Sequence, residues 1–346
     1  MSAADPLADA LARSPELFPH ALDLGRETAT LLRLSRADYE EASFLDGRIG
    51  GPTRPARSLP FLQLADAVET AALQQSCYFI FHIGHVGSTL LSRLLGRHPA
   101  LFCLREPDIL RTLALAQNAS VAASHLPVFL KLWSRSWDAG ARAVVKASSF
   151  VSDLAPEILA RDYAPRALVM GVAPETYLAT IFGGANAPTE ARALAPFRLA
   201  RLRKRLGCNW QLGDFSEGEL VALGWLCETS ALAVAVQQAG ARVLVIDFEA
   251  FLSKSRNVLA RAFDHFGAAV TTQEVDNILA GPEMRTYSKA PEFAYDAQLR
   301  RAVLEEGRAR RATEIRLGLS WLDRAARKFP QLQSAFALFD VLHRLY

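Results

Sequence analysis

The sequence predicts an α/β fold of three layers, α/β/α, around a mostly parallel central sheet, with inserted and C-terminal helices. Three observations carry this expectation. Five short apolar runs, at residues 77–81, 101–104, 141–145, 166–172 and 242–246, have the length and residue content of buried strands. Stretches of helical periodicity separate them, and strands alternating with helices imply a parallel sheet covered on both faces. Polar residues cluster where the runs end: Arg105-Glu106, Lys146-Ala147-Ser148-Ser149 and Asp247. In an open sheet of this kind, ligands bind beyond the carboxyl ends of the strands.

Taken in order, residues 1–75 hold short helical patterns around 6–12 and 66–73, separated by a Gly/Pro/Arg-rich loop at 47–60. This segment lacks the apolar density to fold alone, so it is expected to pack on a core formed by residues 76–346. The core opens with strand 77–81, a tight turn from Gly84 to Gly87 and a helix over 88–95. Strand 101–104 ends in Arg105-Glu106-Pro107, and Pro107 suits the first turn of a helix over 108–117. A second helix is expected over 126–137. Strand 141–145 follows, then strand 166–172, with Pro174 starting a helix to about 182. Two helical stretches are inserted between residues 189 and 240. The first carries Arg192, Arg198, Arg201, Arg203, Lys204 and Arg205, a pattern usual for a solvated helix face and in fewer cases for a patch that binds an acidic substrate. The fifth strand leads to a helix over 255–266. From residue 281 onward the pattern is helical again, apart from the polar stretch at 284–291.

The 346 residues are 51% hydrophobic and 22% charged, an ordinary globular composition. A formal net charge of +3, from 39 basic and 36 acidic residues, gives no global case for a nucleic-acid partner. Nowhere do about 18 apolar residues run together without a charge, so no membrane span is expected. The N-terminal residues lack the basic and apolar regions of a signal peptide, which points to the cytoplasm. Cys77, Cys103, Cys208 and Cys227 show no C-x-x-C spacing and lie in apolar segments, the pattern of free core thiols in a reducing compartment.

The strand, glycine loop and helix at 77–95 aim backbone N–H groups and a helix dipole at one point, whose natural occupant is a phosphate or another anion. A nucleoside-triphosphate loop of the form G-x-x-x-x-G-K-[ST] does not fit. Placing Gly87 at its second glycine puts His82 at the first and Ser88 at the lysine. A kinase or triphosphatase is therefore disfavoured, although the strand ending at Asp247 resembles its metal-holding carboxylate strand.

A different P-loop pattern fits better. The run G-H-V-G-S-T-L-L-S-R-L-L-G-R-H-P, residues 84–99, resembles the 5′-phosphosulfate loop of sulfotransferases that use 3′-phosphoadenosine-5′-phosphosulfate (PAPS). His85 stands where that family has arginine or lysine, and Gly87, Ser88 and Thr89 stand on its G-[ST]-T. R-V-L-V-I-D-F-E-A-F-L at 242–252 resembles the family's strand ending in Y-E-D-L, and F-D-H-F-G at 263–267 resembles its F-L-G. The resemblance spans about residues 77–267. It implies PAPS as donor, 3′,5′-adenosine bisphosphate as product, and a loop of Gly84, His85, Val86, Gly87, Ser88 and Thr89 around the phosphosulfate. A sulfuryl group carries less charge than a phosphoryl group, so no metal is expected.

Three residues are put forward for catalysis. Glu106, on a turn at the ligand edge, is the base candidate, and it resembles the catalytic glutamate of the tyrosylprotein sulfotransferase branch. Its other reading is a carboxylate favouring a helix N-terminus. Lys146 ends an apolar strand, where an unpaired ammonium is costly. It matches the lysine that steadies the leaving 5′-phosphate, or else it forms a salt bridge with an acidic side chain. His85 would supply full positive charge only if a bound anion raised its pKa above the ordinary value near 6.5. Ser148 and Ser149 are candidates to cap the following helix. His82 reads as a satisfied core histidine, and His98-Pro99, resembling the family's H-P, as structural.

The family's 3′-phosphate pattern, R-D-P with a serine eight residues after the arginine, is incomplete. Val172 stands at the arginine and Thr180 at the serine. Tyr287-Ser288-Lys289, with Arg285 nearby, is the candidate replacement, which adds Thr180, Ser288 and Lys289 to the expected binding residues. The expected function is sulfuryl transfer to a hydroxyl or amine on a small-molecule or biopolymer acceptor. An atypical P-loop kinase or nucleotidase and a catalytically silent nucleotide-binding protein of the same fold stay open, the latter favoured by Val172 and His85.

Overall fold

A computed structural model describes residues 5–49, 54–116, 119–184, 187–287, 290–294 and 297–340. The chain enters through α1 (Pro6–Arg13), whose first turn is capped by Asp5 Oδ1 accepting from the Leu7 N–H at 2.9 Å. Next comes an antiparallel sheet of β1 (Leu17–Asp23), β2 (Thr28–Arg33) and β3 (Ala56–Pro60), in that order. The sequence predicted only helices and a loop here. A bulge between Pro19 and Ala21 breaks the two-residue alternation of β1, and four of the five residues of β3 are exposed, so neither strand carries a clean period. Between β2 and β3 lies α2 (Arg36–Glu41), closed by a capping box of Ser35 and Asp38. After β3 comes α3 (Phe61–Thr70).

The core begins with β4 (Tyr78–His82), α4 (Ser88–Leu95) and β5 (Leu101–Arg105). It continues through α5 (Ile109–Leu115), α6 (Ala119–Trp133), β6 (Arg142–Lys146), α7 (Ala155–Leu159) and β7 (Ala167–Gly171). Then come α8 (Pro174–Gly183), α9 (Ala187–Leu206), α10 (Glu217–Ala239), β8 (Val243–Asp247), α11 (Phe248–Ser253) and α12 (Ser255–His265). Strands β4 to β8 form one parallel sheet in the order β5-β6-β4-β7-β8. Together with the glycine loop after its first strand, this is a P-loop three-layer α/β/α fold.

Strand order diverges on either side of β4, with β6 against one edge and β7 against the other. The loop after β4 therefore opens into the crevice where sheets of this kind bind ligands. Ladder register aligns the polar ends: Ile80 pairs with Lys146, and Lys146 pairs with Arg105. The strands β4, β5, β6 and β8 run one residue past their apolar runs, because backbone pairing accepts His82, Arg105, Lys146 and Asp247 as readily as valine. Pro107 precedes α5 instead of entering it, with Asp108 at the N-cap, and α6 starts at 119 and carries Pro127 inside.

The C-terminal part holds α13 (Thr272–Leu279), a hairpin of β9 (Thr286–Tyr287) and β10 (Ala290–Ala294), α14 (Ala297–Lys328) and α15 (Gln333–Asp340). Contact with α14 is close enough that a Cβ on Gly218 of α10 would stand 1.8 Å from the Glu314 carbonyl oxygen. Among the described residues one helical stretch, Glu217–Arg242, is long and apolar enough to cross a membrane, and 78% of its apolar window is buried inside the protein. All four cysteines are free and buried.

Candidate active site

His82 fixes the entrance to the glycine loop. Its Nδ1 accepts from the Gly84 N–H at 3.0 Å, and its Nε2 lies 2.8 Å from the Ala147 carbonyl oxygen. Those partners specify the neutral ring with the proton on Nε2, tying β4, the loop and the end of β6 together. The loop then turns through Gly84 at φ +90°, His85 at +56° and Gly87 at +66°. A Cβ on Gly87 would stand 2.0 Å from the Phe248 ring. Phe248 is in turn covered by the guanidinium of Arg300, 4.5 Å above its centroid, which hydrogen-bonds to Glu249 at 2.5 and 3.0 Å. Beyond Gly87, Ser88 and Thr89 start α4 and are buried. Thr89 Oγ1 has no hydrogen-bond partner among the described residues, a costly state for a hydroxyl unless an acceptor binds there.

Glu106 and Lys146 are partners. The two residues that the sequence offered for separate roles form an ion pair through Glu106 Oε1 and Lys146 Nζ. Lys146 is 0% exposed and Glu106 14%, so the ammonium lies under the carboxylate, which alone reaches the cavity. The Glu106 N–H also donates to the Lys146 carbonyl at 2.7 Å, and Glu106 is held at φ +53°. A left-handed conformation in a non-glycine residue costs about 1–3 kcal/mol and persists where surrounding structure imposes it. His85 and Glu106 are two of the five such residues described, and both face this cavity.

The cavity, about 430 Å³, lies beyond the carboxyl edge of β4 to β6. Ser148 and Ser149 line it, and neither caps the short turn that follows by a side-chain bond. His85 Nε2 stands 3.6 Å from Glu190 Oε2 of α9. The N-terminal segment contributes Phe44, Asp46 and Arg48. Arg48 is paired with Asp46 and stacked 3.3 Å over Phe44.

The positions matched to a 3′-phosphate pocket are differently engaged. Val172 is 1% exposed, and its carbonyl accepts from Trp225 Nε1 at 3.0 Å. Thr180 Oγ1 donates to the Thr176 carbonyl at 2.7 Å, so it must turn away from its own helix before it can donate to an anion. Ser288 and Lys289 lie outside the described residues. Arg285 is exposed, at the end of a short 3₁₀ turn before β9. The loop thus offers an anion the start of α4 and the unpartnered Thr89 hydroxyl, and positions 172 and 180 supply no cation for a second phosphate.

For the site's other wall, the sequence offered the arginines of α9 but not the buried acid that holds them. The arginines of α9 do not form a simple solvated face. Arg198 and Arg201 bind the fully buried Glu228 of α10, with Nε of Arg198 at 3.0 Å and Arg201 at 2.8 Å, and Ser152 donates to the same carboxylate at 2.5 Å. Arg201 and Arg205 also pair with Asp153. Burial opposes charge on Glu228, but Arg201 and Arg198 outweigh it and hold the carboxyl below its usual range. The available signal was Glu228 itself, a lone acid in the apolar run of α10 that could be buried only with cationic partners.

The sequence matches no protein-family model and no curated protein. Similar solved structures include the sulfotransferase domain from the curacin biosynthetic pathway, at TM-score 0.41 and 15% identity over 64% of this chain and 84% of that one. Sulfotransferase STF9 from Mycobacterium avium aligns at TM-score 0.41 and 11% identity, over 72% of this chain and 80% of that one. Retinol dehydratase in complex with androsterone and inactive cofactor PAP aligns at TM-score 0.33 and 12% identity, over 91% and 94% of the two chains.

Proposed function

We propose that the protein is a PAPS-dependent sulfotransferase acting on a hydroxyl or amine, with Glu106 as base and Lys146 as the cation beneath it. The observation that supports this most is the Glu106–Lys146 pair set beside a glycine loop that has Ser88 where a nucleotide kinase needs lysine. When bound, PAPS supplies the sulfuryl group. Backbone N–H groups of the loop, the Thr89 hydroxyl and the α4 N-terminus hold the phosphate end, and His85 adds a hydrogen bond. Glu106 faces the cavity and removes the acceptor's proton, while Lys146, buried beneath it, holds the carboxylate and adds positive charge to the site from below. We place this activity in residues 76–346, with residues 1–75 completing the cavity wall, and in the reducing cytoplasm that four free cysteines suit.

A nucleotide-binding protein without transfer activity is the second reading, favoured by Val172 and by the engaged hydroxyl of Thr180. Radiolabelled PAPS offered with a panel of alcohols and amines separates the two. Glu106→Gln is expected to lower transfer by about 10² or more, as loss of a general base does, while keeping 3′,5′-adenosine bisphosphate bound. Full activity in that variant removes Glu106 from the base role.

A further inference from the structure

One wall of the cavity carries two side chains with hydrogen-bond donors left over among the described residues. Arg198, 4% exposed, binds Glu228 through Nε, while its terminal nitrogens make no hydrogen bond among the described residues. Tyr177, 3% exposed, makes no side-chain hydrogen bond among the described residues, and its hydroxyl lies in the field of Arg198. Both side chains line the same cavity as Glu106. Both also converge on one notch of α10, since a Cβ on Gly224 would stand 2.9 Å from Arg198 Nη1 and 3.6 Å from the Tyr177 hydroxyl.

Charge around them is unbalanced. In the network behind the notch, the acidic partners of Arg198, Arg201 and Arg205 among the described residues are Glu228 and Asp153, leaving one positive charge in excess, and Arg198 is the member that reaches the cavity. The other charged groups facing the cavity are Asp46, paired with Arg48; Glu106, paired with Lys146; Glu190, 3.6 Å from His85 Nε2 and also acting on Tyr177; and Asp108 and Arg111. A desolvated guanidinium beside a free phenol is suited to a planar anion, which a guanidinium binds in a fork of two N–H bonds.

We propose that Arg198 and Tyr177 form an anion subsite, and that the acceptor is an acidic alcohol or amine, carrying a carboxylate or similar group besides the group that Glu106 deprotonates. This substrate class rests on the sulfotransferase reading above, whereas the subsite itself does not. The notch explains why Gly224 stands at this point of α10: a side chain there would displace the guanidinium.

Ligand-observed NMR titration of the full chain with benzoate and with benzamide, matched in shape and differing in charge, tests it. Wild type should bind benzoate about tenfold more tightly, the size expected for a hydrogen bond to a charged group. Gly224→Ala suits a helix better than glycine and displaces only the flexible end of Arg198, so it should fold and lose that preference. Arg198→Met should lose it too, and Tyr177→Phe should halve it or more. Equal binding of the two probes by wild type overturns the subsite, as does a preference that survives both Gly224→Ala and Arg198→Met. Repeating the titration with saturating 3′,5′-adenosine bisphosphate separates the sources of the anion. Persistence of the preference supports an acceptor group, and its abolition assigns the subsite to the donor and overturns the acidic acceptor. Failure of the bisphosphate to bind refutes the sulfotransferase reading alone, since the benzoate comparison stands without it.

Discussion

Gly87→Ala probes the loop where its geometry is most demanding. Two effects add. The backbone sits at φ +66°, and placing an L side chain there costs about 1–2 kcal/mol. The new Cβ would stand 2.0 Å from one Phe248 ring atom and 2.4 and 2.7 Å from two others, so the ring must move. Phe248 is buried, with Arg300 stacked over it, and overpacking such a site costs about 1–3 kcal/mol. Together these predict a loss of about 2–5 kcal/mol, measurable as a lowered midpoint in urea with unchanged m-value. A double-mutant cycle separates the parts. In a Phe248→Ala background the steric share disappears, so Gly87→Ala should then cost only about 1–2 kcal/mol. A loss under about 1 kcal/mol in the wild-type background, or an equal loss in both, refutes the close packing of loop and ring.

Two further predictions concern buried groups. Because the folded Glu228 carboxyl lies below its ordinary value, its contribution is present above about pH 4.3 and is lost as pH falls through the folded value. Glu228→Gln should therefore cost about 3–5 kcal/mol at pH 7, by leaving Arg198 and Arg201 without their shared partner. The gap from wild type should narrow in acid, and a pH-independent gap in urea unfolding contradicts the ion-pair assignment. Burial pushes the Cys77 and Cys103 thiols up to about 11 and Cys227 to about 12, so none of the three should react with a thiol-specific disulfide reagent at pH 8 until the chain is unfolded. Rapid labelling of any of them in the native protein contradicts that environment.

The fold was legible where local pattern and tertiary structure agree. The apolar run before His82, two glycines in a tight turn and a helical period after Ser88 specify strand, loop and helix without help from elsewhere. β1 and β3 escaped detection because a bulge and an exposed edge erase the alternation that marks a strand. The candidate site was half legible. Glu106 and Lys146 stand out as polar ends of apolar strands, but their union depends on the parallel register of β5 on β6, which places residues 40 apart in sequence side by side. Arg198 was hidden by its neighbours, since α9 carries arginine on several faces and no period reveals which one turns inward. Thr180 shows the opposite limit: a hydroxyl in the expected place can be engaged by its own helix.

The most direct test of a PAPS site is isothermal calorimetry with 3′,5′-adenosine bisphosphate and adenosine 5′-monophosphate, on wild type and Lys146→Met. Wild type should bind the bisphosphate at least about tenfold more tightly, the discrimination that one charge-assisted contact to the 3′-phosphate from the candidate stretch at 284–291 would give, and Lys146→Met should weaken both ligands. Equal affinity for the two nucleotides in wild type, or affinity untouched by the loss of Lys146, contradicts the assignment.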